Sequence, residues 1–279
     1  MNKHDLDYKE YIEIAEGVYW VGFYDEKSNL HCNPYLIVDG DEAVLIDSGS
    51  RDDFSTVMLK IMRTGITPNK IKRLIYQHYD PDLCGNIPHI EAIINSDELK
   101  IISQHANNVF IDYYSVSSPK LCIERDLDYK FEFASGRRLE FIMTPYAHAP
   151  GSFVTYDTKT KTLFSSDLFG NYDYSSDLYS LIGEICGNCS MPRTCPITQG
   201  KCSIKGLLRF HRENMPSKKA LLYAIERIEE KDIAMIAPQH GNILDTAVSR
   251  EIAIDRLKEI DCVGIDYFLQ KQRREEVDE

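Results

Sequence analysis

The residue types best suited to metal chemistry in this 279-residue chain are three histidines and three aspartates, each close to the end of a predicted strand. They are His78, Asp80, Asp82, His148, Asp167 and His240. The first three are spaced so that alternate side chains of one strand-to-helix turn can meet at a point. A lone histidine or aspartate in a loop is more often solvated or capping a helix, so the prediction depends on all six. Together they form a nitrogen and oxygen set that suits a pair of hard or borderline metal ions.

The segments that must position these six residues alternate between strand-like and helix-like patterns. Short apolar runs predict strands at 17–24, 35–38, 43–46, 73–77, 139–143, 163–164 and 232–237. Apolar residues at helical spacing predict amphipathic helices at 54–62 and 220–228 and a charged helix at 245–272. Since each candidate ligand follows a strand, the pattern favours a sandwich of two mixed sheets with outer helices.

The motifs around the six residues resemble the metallo-β-lactamase superfamily and, within it, the diiron core of the flavodiiron proteins. That pattern reads H-x-E-x-D-H, then a histidine before Pro-Gly-Ser, then Phe-Ser-x-Asp, and finally His-Gly. The chain has corresponding segments at 78–83, 148–152, 164–167 and 240–241. The resemblance covers roughly residues 12–265 and implies an α/β fold with αββα layers. It also implies one metallo-β-lactamase-like diiron domain over 1–279.

The resemblance also implies a role for each ligand. The first iron would be bound by His78, Asp80 and His148, and the second by Asp82 and His240. Asp167 would bridge the two irons. Two positions depart from the pattern. Asp80 stands where flavodiiron proteins have glutamate and hydrolytic members have histidine, and a carboxylate there favours iron over zinc. Leu83 replaces the last histidine of the motif, which leaves the second metal open to water or dioxygen.

Two further residues are candidate catalytic residues that would support the ligands. Tyr79, between two ligands, either donates a hydrogen bond to a molecule bound at the metals or only packs. His31 precedes a strand start that the resemblance places near the diiron pocket.

A cysteine-rich insertion is predicted at about 171–215, where the sequence shows little periodicity. It contains a C-x2-C-x5-C-x6-C motif formed by Cys186, Cys189, Cys195 and Cys202. A CxxC pair with two more thiols nearby is typical of a tetrathiolate site for zinc, iron or an iron–sulfur centre. The alternative is four unliganded thiols, two of which form a reversible disulfide.

Composition excludes several classes of partner. A net charge of -12 and a pI near 5.2 disfavour binding to nucleic acid or to an anionic membrane, because both require a basic face. No run of about 18 apolar residues predicts membrane insertion. We therefore expect a cytoplasmic protein whose eight cysteines are thiols or metal ligands.

Three functions are compatible with these residues. The first is a non-haem diiron protein that binds and reacts with dioxygen as a sensor or scavenger, resembling stand-alone oxygen-binding diiron proteins and acting with a signalling protein. The second is an oxidoreductase that reduces dioxygen or nitric oxide with an external electron donor. The third is a dizinc hydrolase that activates a bridging hydroxide, against which Asp80 counts. No phosphate-binding loop follows residue 251, so FMN in the same chain is not expected. The resemblance also suggests a homodimer.

Overall fold

The protein is described by a computed structural model that covers residues 6–172, 177–191, 194–197, 200 and 202–278. Its strands are β1 Ile12–Ala15, β2 Val18–Trp20, β3 Phe23–Asp25, β4 Leu30–Cys32, β5 Tyr35–Asp39, β6 Glu42–Ile46, β7 Ile71–Ile75, β8 Lys100–Ser103, β9 Lys120–Cys122, β10 Lys130–Glu132, β11 Arg138–Met143, β12 Phe153–Asp157, β13 Thr162–Phe164 and β14 Met235–Ala237. Most are short and rich in β-branched or aromatic residues, which fit a pleated, buried surface.

The helices are α1 Phe54–Arg63, α2 Pro81–Cys84, α3 Ile87–Ile94, α4 His105–Ile111, α5 Glu184–Gly187, α6 Ser203–Asn214, α7 Lys218–Glu229, α8 Ala247–Lys258 and α9 Gly264–Asp278. Helices α1 and α7 lie close to the positions at which apolar residues at helical spacing predicted them, whereas α2 to α6 were not predicted. Within the part of the chain that the structure describes, none of these helices combines the length and the apolar character that crossing a bilayer requires.

Two mixed sheets carry the candidate ligands at their edges. The first has the order β1-β2-β5-β6-β7-β8-β9 and the second β10-β11-β12-β13-β14, while β3 and β4 form a separate hairpin. Strands β6 to β9 are parallel. In the second sheet β11 and β13 are both antiparallel to β12, and β14 is parallel to β13. Strands β11, β13 and β14 therefore point the same way and end at one edge.

Alternation of side chains along the strands divides the interior into three apolar layers. On β5, Tyr35 and Ile37 face a cluster shared by both sheets, whereas Leu36 packs in the cluster that contains α1 and α3. On β11, Phe141 faces the other sheet and Ile142 packs with residues of α6, α7 and α8. The layers are therefore helix, sheet, sheet and helix, as the sequence predicted.

Three predicted segments differ from the structure. The strand predicted at 17–24 is two strands, β2 and β3, which belong to different sheets. The helix predicted at 245–272 is two helices, because the chain turns at Gly264 with φ of +58° and a Cβ there would lie 2.8 Å from the carbonyl oxygen of Met215. The aperiodic stretch at 171–215 contains α6, whose buried face includes Leu207 together with the polar residues Ser203 and His211. Those polar residues on a buried face obscured the apolar periodicity.

Candidate metal centre

The loop that follows β7 is built to direct three side chains to one side. His78 lies three residues beyond the end of β7 and is buried. Asp80 occupies the N-cap position of α2, ahead of Pro81 in the first turn, yet its side chain accepts no capping hydrogen bond. Asp82 follows in that first turn. Because Asp80 does not cap the helix, its carboxylate is available to the site, which disfavours the capping interpretation of this residue.

The first half of the site consists of His78, Asp80 and His148. Their ligand atoms all lie within 4.8 Å of one another. The Nε2 atom of His148 lies 3.3 Å from Oδ2 of Asp80 and 2.9 Å from Oδ2 of Asp167. The Nε2 atom of His78 lies 3.8 Å from each of those same two carboxylate oxygens. One oxygen of Asp167 therefore faces this half.

The second half of the site consists of Asp82 and His240. Nε2 of His240 lies 2.8 Å from Oδ2 of Asp82 and 3.8 Å from Oδ1 of Asp167. The two oxygens of Asp167 thus face different halves, which is how a carboxylate shared by two metal ions is arranged. The structure brings all six predicted ligands together at the strand ends.

The buried polar atoms of the site fit two metal ions. Nε2 of His78 and Oδ1 of Asp167 are buried and have no hydrogen-bond partner among the described residues, which is costly in a folded protein. The other ring nitrogens are held from behind: Nδ1 of His78 lies 2.9 Å from Oγ of Ser166, and Nδ1 of His240 donates to the carbonyl oxygen of His31 at 2.8 Å. Such partners typically orient metal-binding imidazoles. Three carboxylates would also balance most of the charge of two divalent ions.

The electrostatics of the site favour cations. Burial alone would lower the pKa values of His148 and His240, but hydrogen bonds to the carboxylates raise them to about 10 and about 9. Burial would raise the pKa of Asp167, yet the charges and hydrogen bonds of the imidazoles place it well below its usual range. In the metal-free site the raised pKa values favour protonation of His148 and His240, and metal binding there would release these protons.

The two supporting candidates have different surroundings. The ring of Tyr79 stacks on Phe110 with centroids 4.4 Å apart, and its carbonyl oxygen accepts a hydrogen bond from Tyr114; this is the packing alternative. His31 is buried, its ring lies against that of Tyr24, and its carbonyl oxygen orients His240. The contribution of His31 that the structure describes thus comes from its backbone.

Leu83 is fully buried in the cluster between the first sheet and helices α1 and α3. Its carbonyl oxygen accepts hydrogen bonds from the backbone nitrogen and the hydroxyl of Ser48, at 3.1 and 2.8 Å. The position that carries histidine in the flavodiiron pattern is therefore an apolar part of the core.

Three supporting residues escaped the sequence analysis. Ser166 contacts the ring of His78, and its place beside Asp167 was the one available signal. His211 of α6 accepts a hydrogen bond at Nε2 from the backbone nitrogen of Phe169, two residues after Asp167. The ring of Phe210 lies 5.9 Å from that of His240. The last two lie in the stretch where no helix was predicted, so no pattern indicated them.

A cavity of about 550 Å³ opens onto the second half of the site. Asp82 and His240 form part of its wall, together with His31, Cys32 and Phe23. The first half contributes no lining residue to this cavity. A small molecule that enters here would reach the second half first.

The four cysteines of the predicted insertion are not among the residues that form this site. Cys186 is in α5 and Cys202 directly precedes α6. Within the described part of the chain no cysteine forms a disulfide. The His78, Asp80 and His148 group is also the one set of three or more potential ligands within 4.8 Å that the described residues contain.

Comparison with known proteins extends over most of the chain. The family model described as ODP family beta lactamase matches residues 30–241. An uncharacterized protein of Methanocaldococcus jannaschii is 30% identical over 245 residues, which is 83% of this chain and 56% of that protein. The chain spans 56% of the length of this protein and 34% of the length of a cyanobacterial diflavin flavoprotein that it also matches.

Two solved structures have the same fold. The flavodiiron protein from Giardia intestinalis is 20% identical with a TM-score of 0.73, over 91% of this chain and 60% of that one. A structure described as the peroxy diiron species of the chemotaxis sensor ODP is 21% identical with a TM-score of 0.69, over 94% of this chain and 99% of that one. The chain therefore has the metallo-β-lactamase-like α/β fold of flavodiiron cores and belongs to the ODP family.

Proposed function

We propose that this protein is a non-haem diiron protein that binds dioxygen and acts as a sensor or scavenger. The observation that carries the proposal is the position of Asp167, whose two oxygens face the two halves of the site. Asp80 supports iron rather than zinc, because it supplies a hard oxygen donor in the first half. Membership of the ODP family supports the same conclusion.

The distances among the six side chains assign each proposed ligand to one of the two ions or to both. His78, Asp80 and His148 would hold one iron, Asp82 and His240 the other, and Asp167 both. A pair of ferrous ions bound there would supply the electrons with which dioxygen reacts. The imidazole protons released on metal binding leave the Nε2 atoms of His148 and His240 available as ligands.

The residues around the second half would control what reaches it. The cavity lined by Asp82 and His240 would admit a diatomic molecule. Phe210, whose ring lies beside that of His240, presents an apolar surface to that side of the site. These residues favour a neutral, small ligand such as dioxygen, with nitric oxide as a related candidate.

The partners proposed for the protein follow from the relatives. One similar structure is a chemotaxis sensor that holds a diiron species, and this chain covers 99% of its length. We therefore propose a signalling protein as partner, with an external electron donor for re-reduction of the irons and a second copy of this chain as a further partner. The absence of disulfides among the described cysteines supports a reducing, cytoplasmic location.

Dioxygen uptake by anaerobically purified, iron-loaded protein tests the proposal. We expect uptake to stop at about one dioxygen per iron pair, together with a new visible absorption band, when no electron donor is added. The Asp167→Asn variant serves as the matched control and should show neither change. Continuous consumption in the presence of a reductant and donor would instead assign a reductase. Stoichiometric zinc with ester hydrolysis and no response to dioxygen would contradict the proposal.

A further inference from the structure

The C-x2-C part of the cysteine motif forms a turn that contacts α8 through Arg256. Cys186 and Cys195 are 8% and 7% exposed, and Cys189 and Cys202 are half-buried. The backbone nitrogen of Cys189 donates to the carbonyl oxygen of Cys186 at 3.4 Å, which closes the C-x2-C turn. Four cysteines that are all at least partly shielded from solvent are unusual for a connecting loop, because loops normally lie on the surface.

Hydrogen bonds to sulfur and to the surrounding carbonyls prepare this turn for thiolates. The backbone nitrogen of Met191 donates to Sγ of Cys189 at 3.3 Å. A hydrogen bond to sulfur stabilises a thiolate ligand more than a thiol, since charge on the acceptor strengthens the bond. The turn around Cys189 thus has a feature that a metal-free loop does not need.

Arg256 of α8 fixes the turn from below. Its Nη2 atom donates to the carbonyl oxygens of Gly187, Cys186 and Cys189, at 2.7, 3.2 and 3.3 Å. One guanidinium therefore holds three carbonyl groups of the C-x2-C turn and brings a permanent positive charge to the backbone of this turn. A positive charge there offsets the negative charge of a thiolate-bound centre.

The four thiols also influence one another. Burial raises the pKa of the Cys186 thiol, and the neighbouring Cys202, Cys195 and Cys189 thiols raise it further. Cys202 also packs against the apolar cluster that contains Cys186, so the two ends of the motif lie on the same part of the core.

We propose that Cys186, Cys189, Cys195 and Cys202 bind an iron–sulfur cluster. Three thiolates on a single zinc ion would be about 3.8 Å apart, given tetrahedral geometry and Zn–S bonds of about 2.3 Å. Among the described residues no three of these sulfurs are within 4.8 Å of each other. A cluster binds each thiolate to a different iron and therefore suits a wider spacing.

Helix α6 connects this cluster site to the metal centre. It begins at Ser203, directly after Cys202, and Phe210, whose ring lies beside His240, is eight positions after Cys202. At a rise of about 1.5 Å per residue, the backbone positions of Cys202 and Phe210 are about 12 Å apart along the helix. One helix thus connects the proposed cluster to the second half of the site, and the cluster adds a metal group that the proposed diiron function does not require.

Iron, zinc and acid-labile sulfide should be quantified in protein purified anaerobically after expression with iron and cysteine. We expect roughly four sulfides and four irons per chain in addition to those of the diiron site. A Cys186→Ser, Cys189→Ser double variant should lose all the sulfide and those irons but keep about two irons, which also shows that it folds. The matched control, Cys262→Ser, changes a half-buried cysteine outside the motif and should keep the sulfide and all the irons.

The Asp167→Asn variant separates this proposal from the diiron proposal. It should lose about two irons and keep the sulfide, since a diiron site contains no sulfide. About one zinc per chain without sulfide, removed by the double cysteine variant, would overturn the assignment of a cluster. If the wild type and the double cysteine variant contained the same amounts of sulfide and zinc, these cysteines would not form a metal site.

Discussion

The two halves of the metal site differ in how many ligands they own and in what they face. The first half has three ligands, with His78 buried at the end of the central strand β7 and His148 beyond β11. The second half has two, Asp82 and His240, and it borders a cavity of about 550 Å³. We propose from this difference that the first half would mainly retain its metal, while an external ligand would exchange at the second half.

The smaller number of ligands in the second half is associated with Leu83, which belongs to the apolar core. The side chain that could have added an imidazole to the second half is instead fully buried beside α3. A change there would alter both the packing of the core and the ligand number. Variants that change a ligand of either half, or a residue that supports the ligands, test this difference.

The largest effect is expected for Asp167→Asn, which removes the charge shared by both halves. The amide keeps the shape but cannot balance two divalent ions, so the variant should lose both irons of the diiron site. Iron analysis checks this result in the Cys186→Ser, Cys189→Ser background. Retention of about two irons by Asp167→Asn would contradict the bridging role.

A loss restricted to one half is expected for His240→Ala. The second half would keep only Asp82 and its share of Asp167, so about one iron should be lost while the first half retains the other. The conservative variant Asp80→Glu lengthens a ligand of the first half without removing it, and it should keep about two irons. If His240→Ala and Asp80→Glu lost the same amount of iron, the two halves would not differ as described.

The support of the shared carboxylate by α6 should appear in the pH dependence of stability. Burial lowers the pKa of His211 to about 4 from an ordinary value of 6.5. As the pH falls through 6.5 the unfolded chain takes up a proton that the folded protein accepts only near 4. The free energy of unfolding of the metal-free protein should therefore decrease across this window, by up to about 3 kcal/mol from this residue.

A His211→Gln variant removes that titration and is the control for it. Urea unfolding at pH 7 and at pH 4.5 should show a smaller loss of stability in the variant than in the wild type. Equal losses in both proteins would mean that His211 is not held neutral by the fold.

The smallest effect is expected for Leu83→His, which tests the buried apolar position next to Asp82. An imidazole buried in this apolar cluster without a partner should lower the free energy of unfolding of the metal-free protein by about 2 kcal/mol. The volume-conserving variant Leu83→Met should lose less than about 1.5 kcal/mol. Iron should restore part of the stability of Leu83→His if its imidazole reaches the second ion. Denaturant unfolding with and without iron measures both quantities.

The convergence of the six candidate ligands could be predicted from sequence because each is close in the chain to a strand end. His78, Asp80 and Asp82 share one turn, and the motifs around His148 and His240 are local enough to be recognised. The division of Asp167 between two halves could not be derived from spacing, since it depends on β13 lying between β12 and β14.

The supporting shell was harder to predict because its residues are polar and buried. His211 and Ser203 interrupt the apolar face of α6, so the helix that supports Asp167 gave no periodic signal. The break between α8 and α9 depends on the close approach of Gly264 to Met215, a contact between segments far apart in the sequence. Local patterns contain no information about either feature.

Mössbauer spectroscopy of protein loaded with iron-57 tests the central claim most directly. The Cys186→Ser, Cys189→Ser variant should be used so that cluster iron does not contribute. We predict about two irons per chain that behave as one exchange-coupled pair after oxidation, and loss of this pair in Asp167→Asn. A single uncoupled iron, or a coupled pair that survives in Asp167→Asn, would contradict the claim that this carboxylate joins the two halves of the site.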